Sequence, residues 1–195
     1  MSDEQRIITP PLRCSYPKLF EPEVNDRGTQ VWSTVLLFED TEEGRAALAK
    51  VEALAEEAAK AKFGDKLAAM KKNPSFKWPI RRDVELKYGN LTPKVIAYIS
   101  ARSYKTPPGV VSIYPGPNGK PAPITDPKLV YPGCYLRASL GAFATAATKE
   151  QPSNSVSIAL RNVQKVRDGE RIDARVNAED EFVADPEAAA DLSDL

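Results

Sequence analysis

The sequence predicts a mainly β protein with one helical insertion. Apolar and polar residues alternate along five segments of the chain, which is the pattern of strands that bury one face. One stretch, 41–62, has apolar residues at helical spacing instead. Proline-rich connections such as 114–127 separate the alternating segments of the second half. At 195 residues the chain is most simply one domain with appendages.

The first two alternating segments are expected to pair as a β-hairpin. They cover 12–20 and 30–38, and the turn formers of 21–29 lie between them. The helix follows directly, and Asp40 with Glu43 three residues later predicts a capping box at its start.

Less regular structure is expected between this helix and the next long strand. A second short helix is predicted over 65–72, and Pro74 ends it. The helical insertion as a whole therefore spans about 40–72. Because prolines lie on both sides of it, the stretch 73–93 is predicted to be a loop with one short strand near 84–87.

Three clear β patterns follow, at 94–105, 133–144 and 155–167. One face of each strand is small and apolar and is the predicted core: Val95, Ala97, Ile99 and Ala101, then Leu136, Ala138 and Leu140, then Val156, Ile158 and Leu160. The opposite faces carry cations, and two of them interleave the cations with aromatic rings.

This combination predicts a surface for single-stranded nucleic acid. Unpaired bases stack on aromatic rings, which contributes about 1–3 kcal/mol per base, and the phosphates between them need positive charge. The predicted stacking platforms are Tyr98, Tyr104, Tyr135 and Phe143, with Trp78 and Tyr88 as lesser candidates from the loop. The predicted phosphate contacts are Arg102, Lys105, Arg137, Arg161, Lys165 and Arg167. Because stacking needs no particular base, binding is predicted to be independent of sequence.

Three alternatives stay open at this point. A second layer, such as the 41–62 helix, could cover the face and make Tyr98 and Phe143 core residues. The β-surface could instead bind another protein, as in a structural or adaptor protein. Four acids near predicted turns could form the site of a Mg²⁺-dependent nuclease, although acids at turns are usually only turn formers: Asp126, Asp168, Glu170 and Asp173.

The composition excludes several kinds of chemistry. The chain has no histidine and two cysteines, so it can supply neither a histidine base nor a four-ligand zinc site. No metal, cofactor or catalytic residue is predicted. Cys14 and Cys134 are expected to be buried thiols in a reducing compartment. Without an apolar run of membrane-spanning length or a signal peptide, a cytosolic protein is expected.

Charge is distributed unevenly along the chain. Residues 176–195 contain seven acids and no base, so residues 1–175 carry 27 bases against 20 acids. The acidic end has too little apolar content to pack alone and is predicted to be a disordered, flexible tail. A basic body with an acidic tail is typical of proteins that bind nucleic acid. Such a tail could compete with DNA for the basic surface and dock on partner proteins.

Three blocks of the sequence resemble the tailed-phage single-stranded-DNA-binding proteins. They are SYPKLFEPEVNDRGTQVWSTVLLF near the start, YPGCYLRASLGAFA in the middle and VSIALRNVQKVRDGERI towards the end, and NVQKVRDGER is the most specific part. The similarity runs over most of residues 12–183.

The resemblance implies a five-stranded, partly open OB-fold barrel over residues 1–175. It implies a protein without catalytic activity that coats single-stranded DNA in phage replication, recombination and repair. More distant similarity to podophage replication proteins implies that the acidic tail, 176–195, contacts a polymerase, helicase or primase. The helix of an OB-fold usually follows the third strand, whereas here it is expected after the second. A homodimer is compatible with the sequence but not required by it.

Overall fold

This computed structural model describes residues 6–173. They contain nine strands and three α-helices, joined by turns and loops. The strands are β1 (Arg6–Ile8), β2 (Leu12–Val24), β3 (Gln30–Glu39), β4 (Ile80–Arg81), β5 (Val95–Tyr104), β6 (Gly109–Pro115), β7 (Pro121–Pro123), β8 (Tyr135–Thr145) and β9 (Ser155–Arg167). The helices are α1 (Glu42–Phe63), α2 (Leu67–Lys71) and α3 (Glu85–Tyr88). None of the described helices has the length and hydrophobicity to cross a membrane.

Five of the strands close into a ring. β2 pairs with β3, β3 with β5, β5 with β9, β9 with β8, and β8 returns to β2. The β5–β9 pairing is parallel and the other four are antiparallel. β1 pairs with β8 beyond the short β2–β8 pairing. β6 pairs with the second half of β9, beyond the β5–β9 pairing. The prediction of a mainly β fold with one helical insertion is confirmed.

The core lies inside the ring and contains the predicted inner faces of β8 and β9 and, from β5, Ala97, Ile99 and Ala101. The prediction is wrong for Val95, which is buried in a second cluster beyond a register shift between Phe38 and Glu39. The apolar side of α1 joins the core inside the ring through residues such as Leu48, Val51 and Leu54. The helix therefore packs against the ring interior rather than against its outer surface. It follows the second ring strand, as the sequence predicts.

The helix matches the predicted 41–62 segment, but its cap is Thr41 and not Asp40. The Thr41 hydroxyl accepts a hydrogen bond from the Gly44 N–H at 3.0 Å. Asp40 still belongs to the preceding strand pairing, because its N–H donates to the Lys94 carbonyl at 2.7 Å. Its carboxylate pairs with Arg45 instead.

Three further expectations about local structure are wrong. The predicted strand near 84–87 is the helix α3, which buries Val84 and Tyr88 one turn apart and leaves Leu86 fully exposed. The connection predicted at 114–127 contains part of the β6–β7 hairpin. β2 continues to Val24, which shortens the first hairpin loop to 25–29.

Cys14 and Cys134 are both buried, as predicted. Cys14 lies in β2 and Cys134 directly precedes β8, and the Cys14 N–H donates to the Cys134 carbonyl at 2.9 Å. The two Sγ atoms are 3.6 Å apart and unbridged.

Substitution of Thr41 by alanine is expected to lower the free energy of unfolding by about 1 kcal/mol, because the Gly44 N–H loses its acceptor. Denaturant unfolding of the purified protein measures this. Asp40→Ala is the matched control and should cost clearly less. Equal losses in the two variants would contradict the assignment of the cap.

Candidate nucleic-acid interface

A row of paired residues crosses the outer surface of the ring. Arg6 pairs with Gly141, Gly141 with Ala159, Ala159 with Arg102, and Arg102 with Ser33. Paired residues on adjacent strands point to the same face of a sheet. The row therefore places one exposed arginine on each side of a floor made of Gly141 and Ala159, with Arg6 at one end and Arg102 at the other. Such a floor leaves room for a ligand between the two cations.

Two aromatic rings lie beside this row. Phe143, paired with Ser157 on the same outer face, is 38% exposed, and Tyr104 at the end of β5 is 40% exposed. Both rings line two adjoining cavities, of about 430 Å³ and 460 Å³. The first cavity also contains Arg102, Gly141, Ala159 and Arg161, and the second contains Arg27, Gln151, Ser155 and Ser157. The two cavities together are termed the groove.

The second cavity lies between two loops of the ring. One loop, 25–29, joins the first and second ring strands, and the other, 146–154, joins the fourth and fifth. The Arg27 guanidinium bridges them by donating to the Glu150 carbonyl at 3.2 Å. The Asn25 side chain shapes the first loop by accepting from the Thr29 N–H at 2.9 Å. In OB-folds these two loops flank the face that binds oligonucleotides.

The charge of the groove is poorly neutralised. Among the described residues, Arg6, Arg102 and Arg137 form no ion pair, whereas arginines elsewhere are paired: Arg45 with Asp40, Arg81 with Asp83 and Arg82 with Glu52. The first cavity has no acid in its described lining, and Asp26 is the one acid among the lining residues of the second. The first cavity is therefore positive and suited to a polyanion.

Six predicted site residues lie on or next to the groove. Arg102, Tyr104, Phe143 and Arg161 line it. Lys105 follows Tyr104 in an exposed left-handed turn with a φ of +66°, and its N–H donates to the Gln30 carbonyl at 3.0 Å. Arg137 is exposed on the same outer face, opposite Gln164.

Tyr88 and Tyr98 are not available as stacking platforms. They are 4% and 7% exposed and pack edge to face, with ring centroids 5.4 Å apart. Leu37, Val84 and Val95 complete this second core cluster, which lies on the outer face of the ring beneath α3. Burial raises the pKa of Tyr88. The prediction of a stacking role is wrong for both rings, because α3 covers this part of β5. For Tyr98, the alternative that a second layer covers the face is therefore correct, with α3 as that layer.

Tyr135 also has a structural role. It is 8% exposed, and its hydroxyl donates to the Glu39 carboxylate at 3.0 Å. The Arg167 guanidinium lies 3.4 Å from the ring centroid and covers one face, so neither residue is free to stack on a base in this arrangement. Burial, followed by the charge of Glu39, raises the pKa of Tyr135, which keeps the hydroxyl protonated as the donor.

Lys165 is turned away from the groove by a β-bulge. Leu140 lies opposite Leu160, but Ser139 lies opposite Asn162, so Arg161 is an extra residue in β9. The alternation reverses beyond it, and Lys165 comes to lie opposite the fully buried Leu136.

The Lys165 ammonium group is engaged within the protein. It donates to the Asp168 carboxylate at 2.7 Å and lies 5.3 Å from the Tyr131 ring. The ammonium group of Lys165 lowers the pKa of Asp168. The predicted phosphate contact at Lys165 is therefore not on the outer face.

Trp78 lies in a different place from the groove. Its ring packs 6.2 Å from Phe76, and the Lys71 ammonium group is 4.3 Å from its centroid. The cavity beside it is lined by Glu52, Glu56 and Lys71 and by none of the groove residues. The structure therefore does not bring Trp78 together with the other predicted residues.

The structure adds residues that the sequence did not single out. Arg6 enters the site only through the pairing of β1 with β8, and Arg27 only through the 25–29 loop. The small residues Gly141, Ala159 and Ser157 matter because they lack bulk. Their signal in the sequence is a run of small residues on the outer faces of two neighbouring strands.

The four acids considered for a magnesium site do not converge. Across residues 6–173 no three acids or cysteines are grouped so that they could hold a metal ion. Asp168 pairs with Lys165 and Asp173 with Arg171, each at 2.7 Å. Asp126 accepts from the Lys128 N–H at 2.9 Å, which is the role of a turn former.

Tyr135→Phe is expected to lower the free energy of unfolding by about 1.5–3 kcal/mol, because Glu39 loses a hydrogen-bond donor. Its affinity for oligo-dT should equal that of the native protein. Tyr114→Phe is the matched control, since Tyr114 is 71% exposed. Weaker DNA binding by a folded Tyr135→Phe protein would return this residue to the site.

The family model of the single-stranded-DNA-binding protein from Enterobacter phage Enc34 matches residues 5–193. The solved structure of the bacteriophage Enc34 single-stranded-DNA-binding protein in complex with single-stranded DNA is 23% identical, with a TM-score of 0.64 over 85% of this chain and 88% of that chain. Another structure of the same Enc34 protein, also 23% identical, gives 0.61 over 91% and 90%.

A more distant similarity extends to a second phage. The single-stranded-DNA-binding protein encoded by bacteriophage T7 is 13% identical, with a TM-score of 0.58 over 89% of this chain and 98% of that chain. A search of curated proteins finds no match. At these identities the solved structures establish a shared fold.

Proposed function

The chain belongs to the family of the Enterobacter phage Enc34 single-stranded-DNA-binding protein, and we propose that it binds single-stranded DNA along the groove without preference for base sequence. The observation that carries this proposal is the position of Tyr104 and Phe143. Both rings are exposed, and both line the two adjoining cavities, beside Arg102, which forms no ion pair among the described residues.

Each part of the groove matches a need of an unpaired strand. The two rings offer flat surfaces on which bases stack, and every base has such a face. The arginines on either side of the Gly141–Ala159 floor neutralise phosphates. A duplex hides the faces of its bases, so exposed rings give a preference for single strands.

The proposed role is protective rather than catalytic. By occupying the bases and phosphates, the protein keeps single-stranded DNA from nucleases and from re-pairing during phage replication, recombination and repair. This role requires no cofactor and is exercised in the cytoplasm of the host cell.

The remaining parts of the proposal concern the ends of the domain. The DNA-binding domain spans 1–175, and the acidic tail, 176–195, competes with DNA and contacts a polymerase, helicase or primase. The whole of this tail lies outside the described residues, and its charge supports the proposal. A homodimer would be detected by native mass measurement with and without DNA.

Phe143→Ala and Tyr104→Ala are each expected to weaken oligo-dT binding by about 1–3 kcal/mol, the contribution of one stacked base. Fluorescence anisotropy at fixed salt measures the affinity. Tyr114→Ala removes an exposed ring that does not line the groove and should bind normally. Unchanged affinity in both folded groove variants would remove the rings from the site.

Salt dependence separates DNA binding from the adaptor alternative. Arg102→Ala should reduce the slope of log affinity against log salt by about 0.7, because one phosphate contact is lost. A gel shift with single- and double-stranded oligonucleotides at two salt concentrations gives the broader comparison. No affinity for oligo-dT at either concentration would favour a protein partner for this surface.

Removal of residues 176–195 is expected to tighten oligo-dT binding at low salt, because seven acids that compete with DNA are lost. The gain should shrink as salt is added. Looser binding by the shortened chain would contradict competition by the tail.

A further inference from the structure

The segment 60–77 carries a strong local excess of positive charge. Six exposed lysines lie in it and Asp65 is its one acid. Among the described residues, Lys71 is the one member of this set with an ion pair, which it makes with Glu56. We term these six residues the lysine patch: Lys60, Lys62, Lys66, Lys71, Lys72 and Lys77.

Aromatic packing folds this segment back on itself. The ring of Phe63, at the end of α1, meets the ring of Phe76 edge to face, with centroids 6.0 Å apart. A turn closed by the Phe76 N–H and the Asn73 carbonyl, 3.0 Å apart, sets the direction of the returning chain. The backbone of Lys77 therefore lies beside the end of α1 that carries Lys62.

The lysine patch begins where the groove ends. The Lys77 N–H donates to the Asn154 carbonyl at 3.0 Å, and the Val156 N–H donates to the Lys77 carbonyl at 2.9 Å. These bonds place Lys77 next to Ser155, which lines the second cavity of the groove. A DNA strand that leaves the second cavity past Ser155 would therefore come first to the positive charge of Lys77.

Helix electrostatics explain only part of this charge. Lys60 and Lys62 lie in the last turn of α1, where cations complement the helix dipole. Lys72 is the C-cap residue of α2, where a cation also complements the dipole. Lys66 directly precedes the start of α2, where a cation gains nothing from that dipole, and Lys77 lies outside the described helices. Helix electrostatics therefore leave Lys66 and Lys77 unexplained.

We infer that the lysine patch binds the phosphates of the single strand after it leaves the groove past Ser155, which extends the DNA path across the surface of α2 and the segment before Lys77. This inference rests on the proposed function. Continuity with the groove and opposite charge identify the occupant as the same DNA strand. The contact is electrostatic, because the six members of the lysine patch supply positive charge and none of them has an aromatic ring on which a base could stack.

The test compares two lengths of DNA on the full-length protein. Oligo-dT of about 5 nucleotides is near the lower limit of an OB-fold site, and about 16 nucleotides is near the upper limit. The triple variant Lys66→Ala, Lys72→Ala, Lys77→Ala should bind the short oligonucleotide normally. For the long one its salt slope should fall by about 2, with about tenfold weaker binding at low salt, since three phosphate contacts are lost.

A matched triple variant controls for the loss of charge itself. Lys50, Lys120 and Lys128 are exposed and form no ion pair with described residues, so their replacement by alanine removes the same charge elsewhere. Both lengths should then bind nearly as in the native protein. Circular dichroism and thermal unfolding verify that both triple variants are folded. The single variant Lys77→Ala, expected to lower the slope by about 0.7, serves if the triple one is unstable.

The outcomes separate this inference from the proposed function. Loss confined to the long oligonucleotide supports a DNA path over the lysine patch. Equal losses at both lengths, equal losses in the two triple variants, or no loss at all would overturn it. Tighter binding would also overturn it, since the patch would then hold the acidic tail rather than DNA. Arg102→Ala reports on the groove separately, because it should weaken the short oligonucleotide whether or not the patch binds DNA.

Discussion

Closure of the five-stranded ring is the constraint on which the rest of the structure depends. Every ring strand turns one set of side chains into a shared interior, which is mainly apolar. Charged side chains are therefore concentrated on the outer surface. That surface is then divided by what packs on it: α3 covers the part with Tyr98, and the part with Tyr104 and Phe143 stays open.

Alternation in the sequence was sufficient to predict the inner faces, the long helix and four of the groove residues. It could not predict Tyr98 or Tyr135, because periodicity says which face a residue occupies but not what covers that face. Lys165 was misplaced for a different reason, since the bulge at Arg161 reverses the phase of β9. One signal was present: Val163 is apolar and follows Leu160 by three residues, which breaks a strict period of two.

The distribution of ion pairs links stability to function. Away from the groove, arginines are neutralised by nearby carboxylates, as in the pair of Arg82 with Glu52. Arg6, Arg102 and Arg137 form no such pair among the described residues, and the repulsion between these cations costs some folding free energy. A bound polyanion removes this repulsion and binds only the folded state, so DNA should stabilise the protein by mass action. The same residues thus make the free protein less stable and the complex more stable.

The two buried thiols have a consequence for how the ring can be studied. Cys14 and Cys134 face each other where β2 meets β8, a junction with two register pairs and therefore few backbone contacts to hold it. Both side chains are fully buried, so an alkylating reagent reaches them only when these strands separate. The alkylation rate of the native chain then measures the frequency of that opening. The two native thiols thus report on local opening of the ring without any introduced label.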